Sequence, residues 1–278
     1  GSNLYDFVAR GYDPAVGRFM TIDPLAEKYY SVSPYAYCGN NPINAVDFNG
    51  DSITIVHNIG FWGLGGKETL TYENGNLFNS DGSAYTGKVK SYLKSAVGAL
   101  GSLNTTTEGA ALVSELQNST NMFTIKNGNS EFKSNSSVKA YANQLQTDPS
   151  QAATLQTLQN AGVNIAGGSG GTIFWNASGS ILPTLNGGMA NATTDLAHEM
   201  FHALDANRGL LDDRIDQGIK RNEWQAVYRE NVLRSQLNIP LRTHYIKAID
   251  SNGRFIGGSG ARMLTPTNRP LLPIWYTP

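Results

Sequence analysis

Four histidines are spread over 278 residues, and two of them stand four apart in the run His198-Glu199-Met200-Phe201-His202. Residues at that spacing stack on one face of a helix, so both rings can aim a nitrogen at a single point. Glu199 lies about 100° around the axis from His198. From there its carboxylate can reach a water held at that point without occupying the point itself. Two imidazoles beside such a carboxylate suit a metal ion with one open position. Zinc is the ion that best fits nitrogen and oxygen donors in tetrahedral geometry.

The flanking residues predict a helix of about four turns. Thr193 and Thr194 ahead of Asp195 supply an N-cap, Asp195 suits the positive helix end, and Gly209 after Arg208 supplies a stop. Leu196, Met200, Ala203 and Leu204 form an apolar stripe flanked by Ala197 and Phe201. The helix is therefore expected to run through the interior. Two histidines and a glutamate on a buried helix must find partners, because an unpaired buried polar group is costly.

A catalytic zinc site takes three protein ligands. Six residues past His202 stands Arg208, a cation that cannot ligate zinc, so the extended metzincin pattern is excluded. Residues Arg221 to Arg234 read as a second long helix, with Glu223, Val227, Glu230, Asn231 and Arg234 on one face. Glu223 and Glu230 are thus both candidate ligands. The one that does not bind the metal would accept a ligand-histidine N–H or pair with Arg234. Asn222-Glu223 followed by Ala226 resembles the glutamate-ligand helix of gluzincin peptidases, which implies Glu223 as the third ligand.

Other residues are candidates for supporting roles. Asp205, one turn beyond His202, is placed to orient that ring. In Arg242-Thr243-His244-Tyr245, either Tyr245 or His244 is a candidate donor to the oxyanion of a tetrahedral intermediate. The run Gly171-Thr172-Ile173-Phe174-Trp175-Asn176 is β-branched and aromatic and reads as a strand. In zincins a strand in that order forms the edge on which an extended substrate pairs, so Phe174 and Trp175 are expected to line the cleft.

A net charge of −1 speaks against a nucleic-acid partner. Cys38 is the sole cysteine, which excludes an intrachain disulfide and any cysteine-rich zinc site. No apolar run approaches the roughly 18 residues of a membrane span, and no signal peptide is legible. Thirty glycines with many Asn, Ser and Thr residues indicate abundant turns, a composition that suits an exported protein.

The first fifty residues differ in texture from the rest. Tyr12-Asp13-Pro14-Ala15-Val16-Gly17-Arg18-Phe19, Asp23-Pro24-Leu25 and Tyr35-Ala36-Tyr37-Cys38-Gly39-Asn40-Asn41-Pro42-Ile43-Asn44 alternate aromatic anchors with turn formers. From Tyr12 to Gly50 the segment closely resembles the C-terminal end of the RHS-repeat-associated core. Phe48 in Asp47-Phe48-Asn49-Gly50 departs from the usual proline of its closing motif. That resemblance implies that residues 1–50 are an RHS-core segment and that residues 51–278 are a variable effector domain.

In the second part, Ser52 to Val56 reads as a strand, and Asn74-Gly75 as the turn of a hairpin between Leu70–Tyr72 and Asn76–Phe78. Lys88 to Leu103 and Glu108 to Leu116 read as helices, and Phe123–Ile125 with Glu131–Lys133 as a second hairpin. Val138 to Asn160 reads as a helical stretch broken near Pro149. Gly167-Gly168-Ser169-Gly170-Gly171 reads as a flexible loop, since no Lys-Ser/Thr follows to make a phosphate cradle. The mixture predicts an α+β fold. The metal helix, the Glu223 helix and Leu241-Arg242-Thr243-His244-Tyr245 resemble the zincin effector peptidases at the C-termini of bacterial polymorphic toxins. That resemblance implies a Zn2+-dependent endopeptidase, secreted or exported with the cell surface left open, acting on a protein or peptide substrate. It leaves room for an immunity protein as partner. Two alternatives stay open: a non-catalytic secreted or surface binding module with a degenerate metal site, and a zinc hydrolase of cell-wall peptides.

Overall fold

The computed structural model describes residues 5–6, 11–13, 16, 18–21, 53–59 and 66–277. β1 (Tyr5–Asp6), β2 (Gly11–Asp13) and β3 (Arg18–Phe19) form a short antiparallel meander. Most of the RHS-like segment, including Cys38 and the Asp47–Gly50 close, lies outside the described residues.

The fold beyond it is α+β, built on six strands: β4 (Ile53–Asn58), β5 (Lys67–Glu73), β6 (Asn76–Phe78), β7 (Phe123–Asn127), β8 (Glu131–Ser134) and β9 (Gly171–Trp175). Their order is β6-β5-β4-β7-β9-β8, with β4, β7 and β9 mutually parallel and the outer strands antiparallel. The β5–β6 hairpin turns at Asn74 and Gly75, whose φ values of 47° and 88° are the pair a tight primed turn requires. α1 (Ser91–Leu103) and α2 (Thr107–Gln117) connect β6 to β7. Period-two alternation sends Ile53, Ile55, Phe123, Ile125, Ile173 and Trp175 into the core, where they meet Leu93, Leu100 and Leu103 of α1 and Leu112, Val113 and Leu116 of α2. Each such side chain contributes about 1.5–3 kcal/mol on burial.

β7 and β8 do not form the expected hairpin. β9 lies between them, paired parallel to β7 (Ile125 with Ile173) and antiparallel to β8 (Phe132 with Ile173). The three-residue connection Gly128–Ser130 allows this, because two strand spacings are only about 10 Å and three extended residues reach that far. β9 has the apolar content to be covered on both edges, whereas β8 carries Glu131 and Lys133 and suits the sheet margin. The edge strand beside the site is therefore β8, not β9. Trp175 is core, its indole N–H donating to the Ala192 carbonyl at 2.8 Å, and Phe174 packs on Gly128 under the Lys133 ammonium.

The segment after β8 is more broken than its pattern suggests: α3 (Ser137–Ala140), α4 (Ala142–Thr147), a 3-10 turn (Pro149–Gln151) and α5 (Ala152–Asn160). The additional break falls at Tyr141. The glycine loop is not a free linker either. Gly168 to Gly170 are buried, the Ser169 N–H donates to the Ala206 carbonyl at 2.8 Å, and Gly168 (φ 63°) lies against the Asn207 carbonyl with no room for a Cβ.

β10 (Ile181–Thr184) and β11 (Gly187–Ala190) form a hairpin that leads into α6 (Ala192–Asn207), the metal-motif helix. Its cap is Asn191, one position upstream of the helix and two ahead of Thr193. The Asn191 side chain accepts the Thr194 N–H at 3.0 Å, and Thr194 itself is already helical. Gly209 (φ 70°) ends the helix as expected. Every residue from Thr194 to Ala206 is buried, with Leu196, Met200, Phe201 and Leu204 in the main core. β12 (Ile215–Asp216) and β13 (Ile219–Lys220) pair ahead of α7 (Arg221–Gln236), which lies along α6. The last hairpin, β14 (His244–Ile249) and β15 (Phe255–Arg262), packs on β10. Among the described residues no helix is long and apolar enough to cross a membrane.

Candidate metal centre

α6 and α7 face each other with their polar residues turned toward the same point. His198 Nε2 lies 3.2 Å from Glu223 Oε2, His202 Nε2 lies 3.2 Å from the same oxygen, and the two ring nitrogens are 3.3 Å apart. Two donors bound at about 2.0–2.1 Å with a tetrahedral angle between them sit about 3.3–3.4 Å apart. The triangle matches the base of a zinc tetrahedron, and its donor chemistry, two nitrogens and a carboxylate oxygen, suits that ion.

The far side of His198 fixes its tautomer. Nδ1 meets Glu230 Oε2 at 3.1 Å, so when the ring is neutral it is Nδ1 that keeps the proton and Nε2 that presents a lone pair to the triangle. Glu230 is fully buried and also accepts Arg234 Nε at 2.7 Å and Arg242 Nη1 at 2.9 Å. Burial would raise its pKa, but the two guanidinium groups and His198 hold it well below the usual carboxylate range. Burial likewise works against the Glu223 anion, and the two histidines keep its value depressed. Burial pulls the His198 imidazole down, but its bonds to Glu223 and Glu230 outweigh that and push it up to about 10 in the metal-free fold.

Glu199 is buried beside the triangle, and desolvation raises its pKa above the ordinary value for a glutamate. A carboxylate so tuned is better matched to proton transfer near neutral pH than an exposed one. Tyr245 on β14 shares the cavity with His198, Glu199, His202 and Glu223; burial, and then the nearby Glu223, keep its hydroxyl protonated. The cavity has a volume of about 300 Å3 and is lined further by Ser130, Glu131 and Phe132 at β8 and by Tyr141, Leu211, Lys220 and Asn222.

Two expected helpers lie elsewhere. His244 is absent from the cavity wall; its Nδ1 meets Thr243 Oγ1 at 3.0 Å and its ring covers Gly258. Tyr245 sits where the β14–β15 register shifts between His244 and Ile246, and there it turns inward while His244 lies over β15. Asp205 is fully buried but pairs with Arg229 at 3.0 Å, and no hydrogen bond joins it to His202. Arg229 in turn lies over the rings of Phe201 and Tyr276. The remaining histidine, His57, pairs with Glu68 at 3.1 Å within the sheet. A larger concavity of about 620 Å3, where α2 and α6 end, holds the Arg208–Glu115 ion pair and no group of metal ligands.

Sequence reasoning assigned no role to Arg242, nor to Phe132, Tyr141 and Leu211 in the cavity wall. Tyr141 and Leu211 carry no local signal, since only the packing of α3 beside α6, with the Leu211 N–H donating to the Ala140 carbonyl, brings them there. Arg242 carried a faint one, an arginine three residues before a candidate tyrosine.

No solved structure matches the chain. A 56-residue stretch is 45% identical to part of salivary gland surface protein 1 of Aedes aegypti, covering 20% of this chain and 2% of that protein. The model of the Peptidase_M91 family, described as "Effector protein", matches residues 79–245. That span contains His198, Glu199, His202, Glu223, Glu230 and Tyr245 and makes up more than half of the chain, which therefore belongs to the Peptidase_M91 family of effector proteins.

Proposed function

We propose that the chain is a zinc-dependent endopeptidase of gluzincin type within a zincin-like fold, an exported effector that cleaves a protein or peptide target. In this reading residues 51–278 form the peptidase domain and residues 1–50 an RHS-core segment. The observation that carries it is the triangle of His198, His202 and Glu223 donors, 3.2–3.3 Å on a side, with a buried carboxylate beside it and another behind it.

His198, His202 and Glu223 would hold the zinc. When bound, zinc polarises a substrate carbonyl and lowers the pKa of a nearby water toward ~7. Glu199 takes a proton from the attacking water and passes it to the leaving amine. The Tyr245 hydroxyl, kept protonated by its surroundings, donates to the carbonyl oxygen as negative charge develops there. Glu230 holds the His198 ring in the binding tautomer. Among the described residues no strand pairs with the outer edge of β8, and Ser130 to Phe132 border the cavity, which supports an extended substrate pairing along that strand.

The test compares wild type with Glu199→Gln and His202→Ala, reading zinc by inductively coupled plasma mass spectrometry and new N-termini in a mixed peptide pool. Wild type and Glu199→Gln should carry near-stoichiometric zinc, His202→Ala should not, and Glu199→Gln should cut about 10²–10⁴-fold more slowly than wild type. Zinc-loaded wild type that cuts no peptide would point instead to a metal-bearing binding module.

A further inference from the structure

Arg242 joins the metal-binding helices to the strand that carries Tyr245. On the metal side its Nη1 donates at 2.9 Å to Glu230 Oε2, the same oxygen that holds His198 Nδ1 at 3.1 Å. On the strand side Nε donates to the His244 carbonyl at 3.2 Å and Nη2 to the Tyr245 carbonyl at 2.9 Å, while the guanidinium carbon lies 5.1 Å from the Tyr245 ring centroid. Asn231, next to Glu230 on α7, clamps the Arg242 backbone from both directions: its Oδ1 accepts the Arg242 N–H at 2.7 Å, and its Nδ2 donates to the Arg242 carbonyl at 2.9 Å.

Neutralising Glu230 does not account for this arrangement. Arg234, itself fully buried, already pairs with the other Glu230 oxygen at 2.7 Å. A second guanidinium, only 4% exposed, adds desolvation cost and must be offset by what else it bonds. What else it bonds is the backbone on either side of the Tyr245 peptide unit. The rigid fork of an arginine can serve a carboxylate and two carbonyls at once, which the point charge of a lysine cannot.

We propose that Arg242 is a positioning residue that sets the Tyr245 hydroxyl in register with the metal-binding face of His198, through Glu230 on one side and the β14 backbone on the other. The inference rests on His198 as a metal ligand and Tyr245 as the substrate-facing donor. A displacement of about 1 Å at such a donor is enough to cost about a hundredfold in rate, so a tether that ties β14 to the metal-binding face, beyond its hairpin and its packing on β10, has a consequence for turnover.

The test uses the full chain as wild type, Arg242→Lys, Arg242→Gln and Tyr245→Phe. Zinc affinity is read by chelator competition, and the near-ultraviolet tyrosine difference spectrum is followed on adding zinc. Because Tyr245 lies beside Glu223, zinc should perturb its absorbance, giving a signal that Tyr245→Phe lacks. Arg242→Lys leaves a cation on Glu230 and should hold zinc within about threefold of wild type while losing most of the Tyr245 signal. Arg242→Gln should lose both, with zinc affinity down about 10–100-fold. Where cleavage is measured, Arg242→Lys should lower kcat by about the Tyr245→Phe factor, and the double variant should be little worse than either. Should Arg242→Lys fail to fold by circular dichroism, Asn231→Ala removes the backbone clamp without touching the guanidinium and should lose the same signal. An Arg242→Lys protein that keeps the Tyr245 signal and kcat, or fully multiplicative losses in the double variant, overturns the inference. Wild type that binds no zinc overturns both this inference and the metal reading. Zinc-bound wild type that cleaves nothing defeats the peptidase reading and with it the donor role of Tyr245, while the spectrum still decides whether Arg242 positions the Tyr245 side chain.

Discussion

Glu223 and Glu230 stand on one face of one helix, and they meet opposite nitrogens of the same imidazole. Glu223 is at Nε2 and Glu230 at Nδ1 of His198. Their company separates their roles. Glu230 is paired with two guanidinium groups, whereas Glu223 has two imidazoles and Tyr245, whose capacity to balance an anion depends on a proton or a metal. Glu223→Ala should therefore abolish stoichiometric zinc binding. Glu230→Gln should retain zinc with affinity about 10–100-fold weaker. Glu230→Ala, which strands Arg234 and Arg242, should cost about 3–5 kcal/mol of folding stability. Chelator competition beside urea denaturation separates the three. Zinc kept by Glu223→Ala and lost by Glu230→Ala would reverse the roles. The sequence placed both carboxylates on the face of Val227 and Arg234 but could not choose between them on periodicity alone. The choice depends on how α7 packs against α6, which places Glu223 at Nε2 and Glu230 at Nδ1 of His198 and which no local residue pattern reports.

At the scale of elements, local signals were legible and long-range pairing was not. The Asn74-Gly75 turn and the interior course of α6 follow from residues within a few positions of each other. The insertion of β9 between β7 and β8 follows from a comparison of strands about 40 residues apart in sequence, where the more apolar one takes the middle. The N-cap was missed by a small margin for a similar reason. Thr193 and Thr194 are good caps by type, but Asn191 is the residue in extended conformation (φ −146°, ψ 104°), and only that backbone lets a side chain fold back onto the first turn. Asn191→Ala should cost about 0.5–2 kcal/mol in urea denaturation, and Thr193→Ala less. The glycine loop gives a sharper expectation. At Gly168 the backbone is left-handed and a Cβ would meet the Asn207 carbonyl, so Gly168→Ala should destabilise by about 1–3 kcal/mol and loosen the C-terminal end of α6. Equal denaturation midpoints for Gly168→Ala and wild type would mean that this loop does not close the helix.

For the whole molecule, the zinc reading makes the metal a cross-link between α6 and α7 that the unfolded chain cannot reproduce. Loading at about a thousand times the dissociation constant adds about 4 kcal/mol of stability, or roughly 8–16 °C in melting temperature for a chain of this size. The sign of the pH dependence follows from His198. In the metal-free fold its pKa, about 10, lies above the ordinary 6.5, so its contribution to stability is fully present below pH 6.5 and is lost as pH rises toward 10. Asp195 acts in the same direction. Burial chiefly raises its carboxyl to about 6, so the folded state is penalised once pH passes through the interval from 3.8 to 6. The metal-free protein should thus melt at a lower temperature at pH 8.5 than at pH 6.5. Zinc has the opposite dependence, because it must displace the His198 proton to bind. Its affinity should rise about tenfold per pH unit below pH 10, with about one proton released per ion. The melting curves of the two forms should then diverge as pH rises, a pattern that calorimetry in buffers of different ionisation enthalpy can check against the proton count. A zinc increment that stays constant between pH 6 and pH 8.5 would mean that His198 carries no proton for the metal to displace, and that Glu223 and Glu230 do not raise its pKa as their contacts imply.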